Sequence, residues 1–251
     1  MECWNGGKTM ALRRIFVESV VDGRAIVTGD RAHHLHRVAR LRPGEMVEIS
    51  DSQRAFLAQV ERSRAGEVTF AIRDEIDVPA PAVKITVGLA IFKFARMELA
   101  IEKATELGAA VILPVDAERS DKGLVQGAHK RHERWQKIAE EAAGQSRRLA
   151  PPEVRRPLSF AEALAGAEGG LRLFLDTGAP LMKDVLAESM DPAAPPAEAT
   201  LLIGPEGGWS DRERAAARQA GFLAVGLGQG ILRAETAAVA ATTVLWHWTS
   251  Q

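Results

Sequence analysis

Two glycine-rich loops carry the residues whose types and spacing could do chemistry. The first loop, residues 204–208 (GPEGG), follows an apolar run that ends at Ile203. The second loop, residues 226–230 (GLGQG), follows another apolar run and leads into Arg233. Glycines after a strand let the backbone approach a ligand closely, and the start of the next helix offers free N–H groups. Two such loops predict a binding site for a small ligand.

The two loops also allow other interpretations: a turn with a helix cap, a nicotinamide-binding turn or a nucleoside triphosphate site. A tight turn followed by a helix cap explains an isolated GPEGG loop, but it gives Glu206 no task. The glycines of residues 226–230 also suggest a nicotinamide-binding turn, which requires a further strand and an acidic residue about 20 positions on. Only 21 residues follow Gly230, and they have a helical pattern throughout. No lysine of the phosphate-binding loop type follows either turn, which argues against a nucleoside triphosphate.

Charged residues at the ends of the loops are candidates for catalysis. Arg233 lies where the second loop enters a helix predicted over residues 234–248. An arginine in that place suits a negatively charged group or a charge that develops during a reaction. A salt bridge to Glu206, Glu235 or another acid is the alternative, and the sequence leaves both open. Ser210 and Glu213 have the spacing of a helix capping box.

The composition narrows the class of protein. With 251 residues, of which 46% are hydrophobic and 26% charged, the chain is near the length at which one domain becomes two. No apolar run reaches the roughly 18 residues of a membrane span, and the N-terminus lacks the apolar core of a signal peptide. We therefore expect a cytoplasmic protein without a membrane segment. The single cysteine, Cys3, excludes a disulfide framework within one chain.

Positive charge is concentrated in two segments although the formal net charge is −1. Residues 31–42 hold four arginines, three histidines and no acid. Residues 128–156 hold eight Lys or Arg against four Glu. Such segments can neutralise phosphates, but charge alone favours an ordinary solvated face. The three histidines lie too close together on one short segment for a persuasive metal site, so we predict none.

The hydrophobic pattern changes once along the chain, which predicts two domains. After a tail of residues 1–12, residues 13–77 form short alternating strands typical of a small β-barrel, interrupted by a helix over 32–41 with Leu35 and Val38 facing inward. Two prolines in residues 78–82 indicate a linker. From residue 83 to 251, buried strands alternate with long helices, which favours an α/β domain with a parallel sheet. We predict its strands over residues 83–91, 110–115, 171–175, 200–203 and 222–227, and helices over 94–107 and 130–149.

Four motifs taken together resemble one protein family. They are IGPEGGWS (203–210), LGQGILRAETA (227–237), KATELG (103–108) and HLHRVARLRPGE (34–45). The chain resembles the ribosomal RNA small subunit methyltransferase E family, which belongs to the SPOUT class of S-adenosylmethionine-dependent RNA methyltransferases. The likeness extends from about residue 13 to 248. It departs from the family at Val38-Ala39-Arg40 and Gly144-Gln145, which affects expected RNA contacts more than the glycine loops.

The resemblance implies the architecture and the reaction. It implies a PUA-like N-terminal barrel that holds RNA, a SPOUT α/β domain with a C-terminal trefoil knot, and a homodimer. The implied reaction is methylation of N3 of a uridine in 16S ribosomal RNA of the small subunit. Two readings compete with it: a SPOUT methyltransferase for another RNA base or for tRNA, and a non-catalytic RNA-binding factor in ribosome assembly.

The resemblance also implies site residues. The implied S-adenosylmethionine site comprises Leu175, Ile203, Gly204, Pro205, Glu206, Gly207, Leu227, Gly228, Ile231, Leu232, Arg233 and Thr236. The RNA would be bound by Arg13, Arg14, His34, Arg37, Arg40, Arg147 and Arg148. Arg233 is the expected catalytic residue because it can stabilise charge on the uracil oxygens. Glu206 is either a base or a group that orients the loop amides, and we favour the second role.

Overall fold

The computed structural model describes residues 13–167, 170–191 and 194–249. The chain forms two compact units, the first made of residues up to 79 together with 143–150, the second of residues 80–142 and those from 151 onward. The first boundary falls inside the predicted linker 78–82. The return of residues 143–150 to the first unit was not expected from the sequence. The predicted tail, residues 1–12, lies outside the described residues.

The first unit is built on a five-stranded sheet in the order β1-β3-β4-β5-β2. Its strands are β1 (Arg14–Phe16), β2 (Arg24–Thr28), β3 (Met46–Ser50), β4 (Ala55–Arg64) and β5 (Glu67–Ile76). β1 pairs with β3 in parallel, and the other pairs are antiparallel. Two irregularities in the β4–β5 pairing bend the long strands, as bulges do. The alternating strands predicted from the sequence are confirmed.

Helix α1 (Gly29–Arg37) packs on this sheet, but its bounds and one of its faces differ from the prediction. Leu35 contacts the core as expected. The prediction was wrong for Val38, which is 65% exposed. The helix ends one turn early because Arg40 takes a φ of 54°, a left-handed conformation that no right-handed helix can contain.

The second unit contains a seven-stranded sheet whose pairings are all parallel. Its strands are β6 (Lys84–Ala90), β7 (Ala109–Asp116), β8 (Glu153–Val154), β9 (Leu158–Ser159), β10 (Leu171–Leu175), β11 (Glu198–Ile203) and β12 (Leu223–Val225). The order is β12-β10-β11-β6-β7-β8, with β9 beside β7. This confirms the predicted α/β class. Parallel pairing also brings the carboxyl ends of β10, β11 and β12 to one edge, where ligands bind in such sheets.

Helices connect these strands. They are α2 (Phe94–Glu106), α3 (Lys122–Ala128), α4 (His132–Gln145), α5 (Phe160–Ala165), α6 (Met182–Ser189), α7 (Asp211–Gln219) and α8 (Ala234–Thr249). Gly108 follows α2 with a φ of 90°, as expected of a helix-ending glycine. α4 is shorter than predicted because Arg147 has a φ of 53°, which ends helical geometry before residue 149.

The core of the second unit lies mainly between the sheet and one layer of helices. Buried residues of α2, α6 and α8 pack there against β6, β10 and β11. A smaller cluster, which includes Trp209 and Ala217, covers part of the sheet with α7. Among the described helices, none is long and apolar enough to span a bilayer.

Candidate functional site: two glycine loops and a cavity

The first glycine loop folds around a buried tryptophan. Trp209 is 1% exposed, and its Nε1 donates a hydrogen bond to the Leu175 carbonyl at 2.9 Å. A Cβ on Gly204 would lie 3.1 Å from the Trp209 ring, so a larger residue would crowd the turn. The capping box predicted for Ser210 and Glu213 is confirmed in both directions. The loop that follows β11 is therefore fixed to the end of β10 and to the start of α7.

The segment after β7 supports this loop from outside. Arg119 Nη1 donates to the Gly207 carbonyl at 2.9 Å, and Ser210 Oγ lies 2.6 Å from a Glu118 oxygen. The Glu118 backbone N–H donates to Glu213 at 2.8 Å. Sequence reasoning missed Glu118 and Arg119, because nothing local to residues 117–121 marks a contact with a loop some 90 positions later.

The second glycine loop is held against the segment that follows β10. Gly226 N–H donates to the Pro180 carbonyl at 2.7 Å, and Met182 N–H donates to the Gly226 carbonyl at 2.8 Å. A Cβ on Gly226 would lie 2.7 Å from the Ala179 carbonyl oxygen, a distance that backbone atoms do not allow. Glycine is therefore required at position 226 by close approach of two backbones.

These two segments line a cavity of about 490 Å³ that is open to solvent. This volume falls within the ~300–1,000 Å³ of small-molecule sites. Its lining residues are Thr177, Gly178, Ala179, Leu181, Gly228, Gln229, Gly230 and Ile231. Gly228 and Ile231 belong to the predicted cofactor site, whereas residues 177–181 were missed. A signal existed in Asp176-Thr177-Gly178, which is a turn directly after a buried strand and so has the same form as the two loops.

The cavity offers two kinds of contact to a small ligand. Small residues line both sides, so backbone N–H and C=O groups are within reach of a ligand. Ile231 is 91% exposed and offers an aliphatic surface beside them. Asp176, at the base of the lining segment, is held by Arg214 through two hydrogen bonds of 2.9 and 3.0 Å. The same bonds raise the pKa of the Arg214 guanidinium. The wall is thus fixed by a charged bidentate pair.

The remaining predicted cofactor residues do not line the cavity and lie at strand ends, on loops and at the start of α8. Ile203 and Pro205 are buried, Leu175, Gly204 and Leu227 are partly buried, and Glu206, Gly207, Leu232, Arg233 and Thr236 are exposed. They come from the three adjacent strands β10, β11 and β12 and the segments after them. One sheet edge therefore gathers all the predicted cofactor residues.

An arginine that the sequence analysis did not single out joins the two glycine loops. Arg96, in the first turn of α2, binds the Glu206 carboxylate through Nη1 and lies 3.5 Å from Glu235 through Nε. Both acids that could have paired with Arg233 are therefore bound to Arg96. Arg233 itself is exposed and forms no ion pair with any carboxylate of the described ranges. The salt-bridge alternative for Arg233 is excluded in this structure.

In the first unit, the predicted RNA contacts divide into two groups. Arg13, His34, Arg37 and Arg40 are exposed. Arg14, in contrast, is only 4% exposed. It binds Glu48 at 3.0 Å and donates to the Arg147 carbonyl at 2.6 Å. The prediction of Arg14 as an RNA contact is corrected by this burial, since its guanidinium is used to fix residues 143–150 to the sheet.

Arg147 and Arg148 lie on that fixed segment. Arg147 pairs with Glu48 at 3.4 Å and keeps a side chain that is 48% exposed. Burial lowers the pKa of Arg148 to about 10, so the side chain still carries its positive charge at neutral pH. Within the ranges that the structure describes, no cluster of His, Cys, Asp or Glu has the arrangement of a metal site.

Comparison with known proteins first identifies the class of protein. A family model described as an RNA methyltransferase domain matches residues 79–246, and a model described as an RNA methyltransferase PUA domain matches residues 27–73. The two units thus combine an RNA methyltransferase domain with a PUA domain.

Relatives define the particular family. The ribosomal RNA small subunit methyltransferase E of Synechocystis is 33% identical and covers 91% of this chain and 75% of its own. A crystal structure of this enzyme from Neisseria gonorrhoeae bound to S-adenosylmethionine is 28% identical, with a TM-score of 0.82 over 94% of this chain and 97% of that one. A methyltransferase of Legionella pneumophila in complex with the same cofactor is 30% identical, with a TM-score of 0.81 over the same shares. The chain belongs to the ribosomal RNA small subunit methyltransferase E family.

Proposed function

We propose that this protein transfers a methyl group from S-adenosylmethionine to N3 of a uridine in 16S ribosomal RNA. The observation that carries the proposal is the cavity between residues 177–181 and 228–231, at the edge of the sheet that gathers both glycine loops. Family membership and the cofactor-bound relatives support the same reaction class. When S-adenosylmethionine is bound, its sulfonium supplies the methyl group.

The chain's own residues have to favour an anionic base. Uridine N3 carries a proton and is a weak nucleophile until that proton leaves, so negative charge develops on the uracil oxygens. The exposed, unpaired guanidinium of Arg233 stands at the end of the second glycine loop, beside Ile231 of the cavity lining. We assign to Arg233 the stabilisation of that charge.

Glu206 is assigned an orienting role. Its carboxylate binds Arg96, so its lone pairs are engaged by a guanidinium rather than directed freely at a substrate. A carboxylate in that arrangement fixes the loop it belongs to. We therefore propose that Glu206 holds the first glycine loop in place and does not remove the N3 proton.

RNA binding is proposed for the exposed basic residues of the first unit. Arg37 lies on α1 and Arg40 just after it, and Arg13 precedes β1. His34 is also exposed on α1, and Arg147 and Arg148 carry positive charge on residues 143–150. Phosphate contacts from such residues fix the register of RNA on a protein without reading its sequence. The match of residues 27–73 to a PUA domain supports this assignment.

Three further properties are proposed on the family resemblance. The first is a trefoil knot in the C-terminal chain, supported by the return of α8 from the edge strand β12 to pack against α2 and α6. The second is a homodimer, for which exposed Leu99 (43%) and Trp246 (46%) on the packed pair α2 and α8 provide apolar surface. The third is a cytoplasmic location, where ribosomal subunits are the substrate.

One experiment tests the function directly. Ribosomal RNA from a strain that lacks the gene is compared with wild-type RNA by mass spectrometry, and we expect a single uridine to lose its N3 methyl group. A lost methyl on another rRNA base or on a tRNA would assign the alternative target. An unchanged methylation pattern, together with no heat of S-adenosylmethionine binding in calorimetry, would favour a non-catalytic assembly factor.

A further inference from the structure

We propose that Arg96 is a positioning residue of the methyl-transfer site, which binds Glu206 of the first glycine loop and Glu235 at the start of α8 and thereby keeps Arg233 free for the target base. The proposal rests on the methyltransferase function above. It concerns a residue of α2, a helix outside both loops. Arg96 is not proposed to touch the donor or the base.

The geometry places Arg96 between the two loops. Its guanidinium binds Glu206 in the first loop through Nη1 and lies within 3.5 Å of Glu235, in the first turn of α8, through Nε. Its side chain is 31% exposed, and that of Glu235 is 12% exposed. One planar group with donors in a fixed fork can hold two acids at a set separation, which a lysine cannot do.

The burial of Glu235 explains why the arrangement matters for Arg233. Glu235 Oε2 is buried and has no hydrogen-bond partner among the described residues. A buried carboxylate that loses its only cation is strongly destabilised and has to recruit another. Arg233 is the only Lys or Arg within residues 204–210 and 226–236, and it lies two positions before Glu235. Without Arg96, Glu235 would draw Arg233 away from the base.

This reasoning predicts a rescue of the Arg96 variant by Glu235→Gln. Single-turnover methylation of small ribosomal subunits is measured with saturating S-adenosylmethionine. We expect Arg96→Met to lower the rate at least tenfold. The rate of Arg96→Met/Glu235→Gln should be at least threefold higher than that of Arg96→Met, because the neutral Gln side chain no longer competes for Arg233. Because Glu235→Gln also relieves an unpaired buried charge, Arg96→Met is tested again in an Arg233→Ala background. There it should lower the rate less than twofold further if Arg96 acts through Arg233, and about tenfold further if Arg96 only supports the loops.

Controls separate the possible outcomes. Lys84→Met removes an exposed cation that pairs with Glu198 at the amino ends of β6 and β11, and it should retain the wild-type rate. If circular dichroism shows that Arg96→Met is not folded, Arg96→Lys and Arg96→Lys/Glu235→Gln take its place. The double variant should again be faster than the single variant. A wild-type protein that methylates while Arg96→Met stays within twofold of it, or shows no rescue, overturns the Arg96 proposal alone. A wild-type protein that neither binds S-adenosylmethionine nor methylates any RNA overturns the function as well.

Discussion

Arg233 differs from Arg96 and Arg214 because no carboxylate of the described residues binds it. Arg96 and Arg214 both form ion pairs around the glycine loops, with Glu206 and Asp176 among their partners. Residue type and spacing in the sequence single out Arg233, Glu206 and their neighbours as candidates. The sequence could not show which charged residues form ion pairs, because Arg96 and Glu206 are 110 positions apart and come together only in the folded structure.

At the residue scale, we predict that Arg233→Ala slows the chemical step. The single-turnover rate with saturating donor and RNA should fall at least tenfold, which corresponds to about 1.4 kcal/mol of transition-state stabilisation. Donor affinity measured by calorimetry should change much less. Arg218→Ala, which removes an exposed arginine of α7, serves as the control. A rate within about threefold of wild type would remove Arg233 from the chemistry, since that is under roughly 1 kcal/mol.

At the scale of elements, the sequence predicts those helices and strands that have a strong hydrophobic period or a recognisable capping motif. The long strands, α2, α8 and the capping box at Ser210 follow from local patterns. The strands β8 and β9 have two residues each, which is too short for any period to be recognised. The cavity wall at 177–181 was missed for a different reason: the hydrogen bond from Gly226 N–H to the Pro180 carbonyl joins residues that are 46 positions apart.

The pairing of that wall with the second glycine loop leads to a prediction for Gly226→Ala. The new Cβ would meet the Ala179 carbonyl oxygen at 2.7 Å, so the two backbones would have to separate. Because the same segments line the cavity, we expect S-adenosylmethionine affinity to fall at least tenfold, or about 1.4 kcal/mol. Isothermal titration calorimetry measures this directly.

A matched glycine in the other unit provides the control for Gly226→Ala. A Cβ on Gly66 would have nothing within 4 Å, and its φ is not in the left-handed range. Gly66→Ala should therefore bind the donor as the wild type does. Equal affinities of the two variants would show that the contact between Gly226 and Ala179 does not shape the binding site.

At the scale of the whole molecule, the surface cations divide into those that bind no carboxylate of the described residues and those that are paired within the chain. Removing Arg37 and Arg40, both exposed on or after α1, should reduce phosphate contacts. We expect the salt slope of RNA binding in Arg37→Ala/Arg40→Ala to be smaller by about 1.4 to 1.8, as two lost contacts predict. Titrations between low and moderate salt concentrations measure the slope.

The control for this prediction removes the same formal charge from the same unit. Arg24 and Arg62 are already paired with Glu61 and Glu67, at 2.9 and 3.3 Å. Arg24→Ala/Arg62→Ala should therefore change the slope much less. A salt slope in Arg37→Ala/Arg40→Ala equal to that of the wild type would exclude the α1 surface from RNA binding.

The first unit is completed by a segment that comes from far along the chain. Residues 143–150 belong to it, and they are held by Arg14, by Glu48 and by a hydrogen bond from Ser50 Oγ to the Leu149 carbonyl at 2.6 Å. The sequence could not reveal this, because its only local marks are basic residues that equally suit an RNA surface. Arg14 has an internal role for a physical reason: its guanidinium is buried against Glu48 and donates to the Arg147 carbonyl.

We predict that Gly144→Ala weakens the first unit by displacing this segment. An added Cβ would lie 2.7 Å from the Arg14 carbonyl oxygen, a backbone atom that cannot move without disturbing β1. Overpacking of this kind costs about 1–3 kcal/mol. Hydrogen exchange should therefore become faster at β1 and β3 and stay unchanged in β10 and β11 of the second unit. Gly66→Ala, with open space around it, should leave both regions protected; equal protection of β1 in the two variants would mean that residues 143–150 do not stabilise the sheet.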